Sequence, residues 1–374
     1  MSIRQSLIRL LLAFGLLFVG PGYLSAQEGL VEEDAFAMPS LTLKAFGDIN
    51  YVIESDDAID DDANEFALGS LDVFLNGDLG NNVSVLSEIT FDFESDQNEN
   101  EVTVHRLYVQ KEFSDLFKLM VGRYHAWVGY WNITYHHGTW FQTTVGRPAV
   151  QSRDILPFHS VGLTLSGTYS TDDLDLDYAL AIANGRDEKR GDTANVEDKN
   201  DNKAFNGYIA VSPDAVPGLE IGFHIYIDDI PADRREAMFD EAGSPVPNPR
   251  AGEIKELIIG GYIAYFRNNV ELIAELSQIT HDDEVSGEEF DTLGFYIQAG
   301  YQLGEFKPYY RFDALDFDKG DPFYTGIDDD FEEHSFGLRW DTSAWSALKF
   351  EYQRRDRDEK KDRDKFVAQA AFTF

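Results

Sequence analysis

Short runs in which every second residue is apolar, separated by polar turns, recur along this 374-residue chain. In one of them Leu219, Ile221, Phe223, Ile225 and Ile227 alternate with polar or charged neighbours. A strand with this pattern has one apolar and one polar face. Helical spacing is nearly absent, so the sequence predicts an all-β fold.

The strands and their connections predict how the sheet is arranged. Sixteen segments are predicted at 41–52, 66–76, 83–94, 102–112, 117–124, 158–169, 174–184, 204–212, 219–228, 254–266, 269–280, 292–302, 305–316, 333–342, 346–355 and 365–374. Short connections and longer, mostly acidic ones alternate along the whole chain. An even number of antiparallel strands with this asymmetry is typical of a transmembrane β-barrel with short periplasmic turns and long extracellular loops.

The N-terminal residues have the features of a secretory signal. Arg4 and Arg9 precede a short apolar segment, and small residues follow it. The apolar part, 10–19, is too short to span a bilayer as a helix. We therefore predict a signal peptide at residues 1–26, a periplasmic N-terminal segment at 27–40 and the barrel at 41–374.

Composition excludes several classes of protein. The chain has 68 Asp and Glu against 31 Lys and Arg, a formal charge of −37 that would repel nucleic acid. Aromatic residues make up 14%, too many for a disordered chain, and the absence of cysteine removes thiol chemistry. No GxSxG, HExxH or phosphate-binding glycine loop is present, so we predict that the protein is not an enzyme.

Alternation also predicts which face of each strand meets lipid. Aromatic residues expected in membrane girdles near the strand ends are Phe91, Phe93, Tyr265, Phe266, Tyr309, Tyr310, Trp340 and Tyr352. The polar faces should line the lumen. Their acids are Asp48, Asp72, Glu88, Asp92, Asp175, Asp177, Glu220, Asp228, Glu271, Glu275, Asp313, Asp341 and Glu351, and their bases are Lys44, Arg106, Lys307, Arg311, Arg339 and Lys349.

The final strand carries a family resemblance. Phe372 and Phe374 alternate with small and polar residues at the carboxyl end, which resembles the C-terminal recognition signal of bacterial outer-membrane barrels. With sixteen strands, this indicates similarity to the porin superfamily over essentially the whole mature chain. The resemblance implies the outer membrane of a Gram-negative bacterium, contacts with lipid and lipopolysaccharide, assembly through Phe374 and a homotrimer.

One long connection is aromatic rather than acidic. Residues 125–157, called the inserted loop below, occupy the position of the constriction loop in sixteen-stranded porins. Trp127 and Trp140 are candidates for stacking solutes. The residues expected to line the pore or its constriction are Glu88, Asp92, Arg106, Arg147, Arg153, Asp154, Arg311, Asp313, Arg339 and Glu351.

Histidines in the inserted loop raise the question of a metal site. His136 and His137 are adjacent and would point to opposite sides if extended, and no carboxylate lies close in sequence. We therefore predict no metal ligands here and no cofactor. The Asp runs at 60–62 and 328–330 leave loop-bound divalent cations as an alternative, although they lack the spacing of a calcium loop.

The resemblance implies a water-filled channel for passive diffusion of small hydrophilic solutes and ions. The acidic lumen predicts a preference for cations. One alternative is a substrate-selective porin that takes up phosphate, polyphosphate or sugars at Arg106, Arg311, Arg339 and the aromatic inserted loop. The segment GRYHAWVGYWNITYHHGTWFQTT resembles porins related to the phosphate- or polyphosphate-selective group. Another alternative is a surface scaffold that is not a channel.

Overall fold

The computed structural model describes most of the predicted barrel. The described residues are 40–56, 61–93, 100–136, 138, 140–152, 155–188, 200–232, 252–358 and 362–374. The predicted signal peptide, and the predicted periplasmic segment up to residue 39, lie outside them.

Sixteen strands pair in chain order, each with the next, to form one antiparallel barrel. The strands are β1 (Ser40–Asp56), β2 (Asp61–Asp78), β3 (Val83–Phe93), β4 (Asn100–Ser114), β5 (Phe117–His125), β6 (His159–Ser170), β7 (Leu174–Ala183), β8 (Ala204–Pro213), β9 (Leu219–Ile230), β10 (Ile254–Arg267), β11 (Val270–Asp283), β12 (Glu289–Tyr301), β13 (Phe306–Phe317), β14 (Phe331–Ser343), β15 (Ser346–Arg357) and β16 (Arg363–Thr373).

The first and last strands close the barrel. β1 pairs with β16 over a register that runs from Phe46 opposite Thr373 to Asp56 opposite Arg363. Closure leaves no sheet edge, so every strand has a hydrogen-bonding neighbour on both sides, as a sheet in a bilayer requires. The predicted sixteen-stranded antiparallel barrel is confirmed.

The turns on one side of the barrel are short, as predicted. Only Asn268 and Asn269 separate β10 from β11, with φ angles of 52° and 66°. This left-handed conformation suits a two-residue hairpin, and asparagine tolerates it better than most residues. On the opposite side, two connections predicted to be long are shorter, because β1 and β2 pair as far as Asp56 and Asp61, and β11 and β12 as far as Asp282 and Glu289.

The barrel is apolar outside and polar inside. Exposed side chains include Leu43, Val121, Ile263, Ile297 and Phe336, and all of these but Leu43 have a buried neighbour in the strand. The buried set instead holds many carboxylates and guanidinium groups. This distribution is the reverse of a soluble protein and fits an outer face in contact with lipid. Among the described residues, no helix combines the length and the apolar character needed to cross a bilayer.

Two of the predicted girdle aromatics, Phe266 and Tyr309, face inward. The Phe266 ring stacks on Tyr130 of the inserted loop, with centroids 6.4 Å apart. Tyr309 is buried and donates a hydrogen bond from its hydroxyl to Glu351 at 2.7 Å. Tyr310, its neighbour, takes the outer position beside Phe336. The predictions for Phe266 and Tyr309 were wrong because consecutive residues of a strand point to opposite faces.

The inserted loop lies between the end of β5 and the start of β6. It contains a short helix, α1 (Tyr130–Thr134), and a 3₁₀ turn (Ala149–Gln151). Its buried side chains Val128, Val150, Ile155 and Leu156 join an apolar cluster with residues of the opposite wall, including Ile258. The loop therefore folds into the barrel and crosses to the far wall.

Candidate channel constriction

Arg311 and Asp313 of β13 hold the second half of the inserted loop. The Asp313 carboxylate accepts hydrogen bonds from the Ala149 backbone N–H at 2.8 Å and from Arg311 Nε at 2.7 Å. Arg311 Nη1 donates to the carbonyl of Gly146 at 2.8 Å. Both side chains are at most 1% exposed. The predicted pair is therefore brought together, and it fixes the loop backbone in a buried position.

A second group of anchors comes from β14 and β15. Glu351 accepts a hydrogen bond from the Val145 N–H at 3.0 Å, and Lys349 donates to the Thr144 carbonyl at 2.9 Å. Arg339 Nη1 donates to the carbonyls of Trp140 and Gln142 at 2.6 and 2.9 Å. Loop carbonyls and amides that cannot reach water are thereby satisfied by charged side chains.

Glu275 of β11 holds the first half of the loop. Its carboxylate accepts hydrogen bonds from the Tyr130 N–H at 3.0 Å, from Gln151 Nε2 at 2.9 Å and from the Tyr296 hydroxyl at 3.2 Å. The Tyr130 amide is one of the unpaired donors at the start of α1, where a carboxylate is favourable. A single acidic residue on the far wall therefore joins α1 to the 3₁₀ turn.

Two asparagines fix the point where the loop leaves the wall. Asn206 of β8 accepts from the Trp127 N–H at 2.7 Å and donates to the Trp127 carbonyl at 3.1 Å. Asn132 in α1 donates to the carbonyls of Ala126 and Phe158, at 2.9 and 3.1 Å. These carbonyls lie at the two ends of the loop, so Asn132 joins its entry to its exit.

The predicted loop side chains have different surroundings. The Arg147 guanidinium lies 5.1 Å from the ring centroids of both Trp131 and Phe158, a cation–π geometry. Trp140 packs edge-on against Phe141 and lies under Arg339. Trp127 packs beside Tyr208. Arg153 and Asp154 lie outside the described residues, as does His137.

Strands β3 and β4 carry the remaining predicted residues. Glu88 is buried and forms an ion pair with Arg106 of β4, whose guanidinium also lies over Phe74. Asp92 occupies the same face of β3 further along. Acidic and basic predicted residues thus lie on both sides of the inserted loop.

Two connections on the side of the barrel opposite the short turns also contact the inserted loop. The Ile155 carbonyl accepts hydrogen bonds from Arg186 Nη1 and from the Tyr324 hydroxyl, both at 2.9 Å. Burial raises the pKa of Tyr324, so the phenol stays a donor at physiological pH. The β7–β8 and β13–β14 connections therefore help to hold the loop inside. In the Asp run at 328–330, Asp330 accepts from the Phe317 N–H at 2.8 Å.

Several anchors were absent from the predicted site. Glu275, Lys349 and Glu271 were expected only to line the lumen, and Asn206 was not singled out. Glu271 accepts a hydrogen bond from the Thr143 hydroxyl of the loop at 2.7 Å. Alternation along β11 and β15 gives the inward direction of the first three residues, but it does not give a partner on the loop. Which part of the loop backbone they bind depends on how the loop folds across the lumen, and the spacing of residues in the sequence does not give this.

Comparison with known proteins supports the architecture. Neither the models of known protein families nor the sequences of curated proteins match this chain. Solved structures do. An anion-selective porin from Comamonas acidovorans superposes with a TM-score of 0.64 at 13% identity, covering 90% of this chain and 100% of the porin.

Two further structures show the same barrel. The outer-membrane protein OmpT of Vibrio cholerae, in a trimer form, matches with a TM-score of 0.58 at 10% identity, over 90% of this chain and 100% of its own. The outer-membrane channel DcaP of Acinetobacter baumannii matches with a TM-score of 0.55 at 12% identity, over 92% and 99%. The chain thus has the fold of bacterial outer-membrane porins, and the location expected from the sequence agrees with it.

Proposed function

We propose that this protein is an outer-membrane porin, a water-filled channel for passive diffusion of small hydrophilic solutes and ions. The observation that carries the proposal is a loop folded inside a closed barrel and held by charged side chains of the far wall. Such a loop narrows the lumen without filling it with a separate domain. By analogy with the trimeric neighbour, we propose a homotrimer.

We further propose that the channel prefers cations. Three carboxylates at the inner face near the short turns are partly or fully exposed: Asp175, Asp177 and Glu220. Asp177 accepts from the Thr168 hydroxyl at 2.6 Å, and Glu220 from the Tyr262 hydroxyl at 2.7 Å. Neutral donors leave the negative charge of a carboxylate in place, so these groups raise the local concentration of cations.

The sign of selectivity is not given by the fold, since a porin of the same architecture is anion-selective. Reversal potentials in planar bilayers under a KCl gradient test it. We expect the wild type to give a reversal potential of the sign that a K⁺-selective channel produces. The double variant Asp177→Asn/Glu220→Gln should give a smaller potential of the same sign. Asp214→Asn, in an exposed turn, is the matched control and should leave the potential unchanged.

A chloride-selective potential in the wild type would reject the cation preference. A saturable block of the current by inorganic phosphate or by an oligosaccharide would instead support the substrate-selective alternative. A heat-modifiable barrel that never conducts would favour the scaffold.

A further inference from the structure

Four histidines converge where the inserted loop meets the wall. His105 lies in β4, His125 ends β5, His136 follows α1 in the inserted loop, and His159 begins β6. His105, His136 and His159 are each no more than 3% exposed. One ring nitrogen from each of these three lies within 4.8 Å of the others. We propose that His105, His136 and His159 bind a late first-row divalent metal ion, with Zn²⁺ the preferred cation.

The ring distances are close to those of a coordinated set. His105 Nδ1 and His159 Nε2 are 3.1 Å apart and form a hydrogen bond, which a metal ion bound to both nitrogens would replace. Two nitrogens bound to one tetrahedral zinc ion are about 3.3 Å apart, because each Zn–N bond is about 2.0–2.1 Å. Because the three nitrogens lie within 4.8 Å of one another, the His136 ring must move by up to about 1.5 Å to reach the same distance. Imidazole ligands suit Zn²⁺, Cu²⁺ and Ni²⁺, whereas Ca²⁺ and Mg²⁺ prefer oxygen.

The hydrogen bonds of His136 prepare it as a ligand. The Asn132 amide donates to two carbonyls, so its Oδ1 faces His136 and accepts from His136 Nδ1 at 2.6 Å. The neutral His136 ring then carries its lone pair on Nε2. A hydrogen bond from the ring nitrogen that does not bind the metal orients histidine ligands in metal sites in this way. The backbone of His136 has a φ of 44°, a conformation that non-glycine residues rarely adopt and that is concentrated at functional sites.

His125 and Glu88 complete the surroundings. The His125 ring stacks on His136 with centroids 3.8 Å apart, and His125 Nε2 lies 3.6 Å from a Glu88 carboxylate oxygen. Glu88 brings negative charge beside the histidines, while Arg106 and Arg123 bring positive charge. A bound ion would tie the inserted loop to β4 and β6.

Isothermal titration of the folded, tag-free protein in detergent with ZnCl₂ tests the proposal. We expect about one Zn²⁺ per chain. His105→Gln and His159→Gln should each weaken binding by at least about 100-fold, since losing even a residue that only hydrogen-bonds to a ligand costs about 10- to 100-fold. Asn132→Ala should weaken binding by about 10- to 100-fold with an unchanged stoichiometry.

Two further variants distinguish a loss of metal binding from a loss of folding. His136→Gln changes only the loop and should abolish binding with the barrel intact, as judged by gel mobility before and after boiling. His334→Gln, a histidine bonded to Tyr310 on the outer face, is the matched control and should bind like the wild type. No saturable binding up to about 1 mM Zn²⁺, or equal affinity in His136→Gln and wild type, would overturn the proposal.

Discussion

The anchoring of the inserted loop by Arg311 leads to a quantitative prediction. The guanidinium donates one hydrogen bond to Asp313 and three to the loop, at Thr144 Oγ1 and the Gly146 and Arg147 carbonyls. Arg311→Met removes all four and leaves the buried Asp313 carboxylate without its cation. Breaking a buried ion pair by removing one partner costs about 3–5 kcal/mol. That corresponds to roughly a hundredfold to a few thousandfold in the folding equilibrium.

Equilibrium urea unfolding of the protein in micelles or vesicles measures this cost. Trp127, Trp131 and Trp140 lie in the loop, so most of the tryptophan fluorescence reports its release, and Trp340 and Trp345 of the barrel contribute the rest. We expect a lower midpoint for Arg311→Met. The double variant Arg311→Met/Asp313→Leu should recover much of the loss, because an apolar pair avoids the uncompensated charge.

Arg354→Met is the matched control. Arg354 also contacts three carboxylates, those of Asp356, Asp362 and Asp364, but it is exposed to solvent. Exposed ion pairs contribute little, so this variant should unfold like the wild type. A loss below about 1 kcal/mol for Arg311→Met, or one equal to that of Arg354→Met, would refute the anchoring argument.

Two backbone positions give further predictions. Asn269→Ala should lower the unfolding free energy by about 1–2 kcal/mol, because alanine resists the positive φ of the hairpin, while Asn269→Gly should be close to neutral; equal stabilities in urea would contradict this. Gly122→Ala should disrupt the β4–β5 pairing, since a Cβ there would lie 2.2 Å from the Leu107 carbonyl oxygen at a φ of 138°; normal yields of heat-modifiable barrel would contradict that reasoning.

Much of the fold follows from short-range patterns. Alternation and turn residues located all sixteen strands. A barrel strand is recognised from the apolar and polar alternation of its own residues and from the turn that follows it, and both are local in sequence. Asn268 and Asn269 mark one hairpin so clearly that its position needs no long-range information. The lengths of β1 and β2 were underestimated, since their acidic ends resemble loop until cross-strand pairing is known.

The inner site was less accessible to sequence reasoning. Arg311, Asp313, Arg339 and Glu351 were selected by direction alone, and the structure adds that they bind the loop backbone. The histidine cluster was missed for a specific reason. Ile89 pairs with Val104 and Glu88 with Arg106, so His105 is an extra residue in a β-bulge, and strict alternation does not apply to it. Its partners come from β6 and the inserted loop, which are far apart in sequence.

Single-channel recording shows most directly whether this barrel encloses an ion-conducting path past the inserted loop. Folded protein, verified by its heat-dependent gel mobility, is added to a planar bilayer in symmetrical KCl. We expect discrete, reproducible current steps, in groups of three if the trimer forms. A protein that inserts into the bilayer as an intact barrel and yet gives no current steps would contradict this expectation.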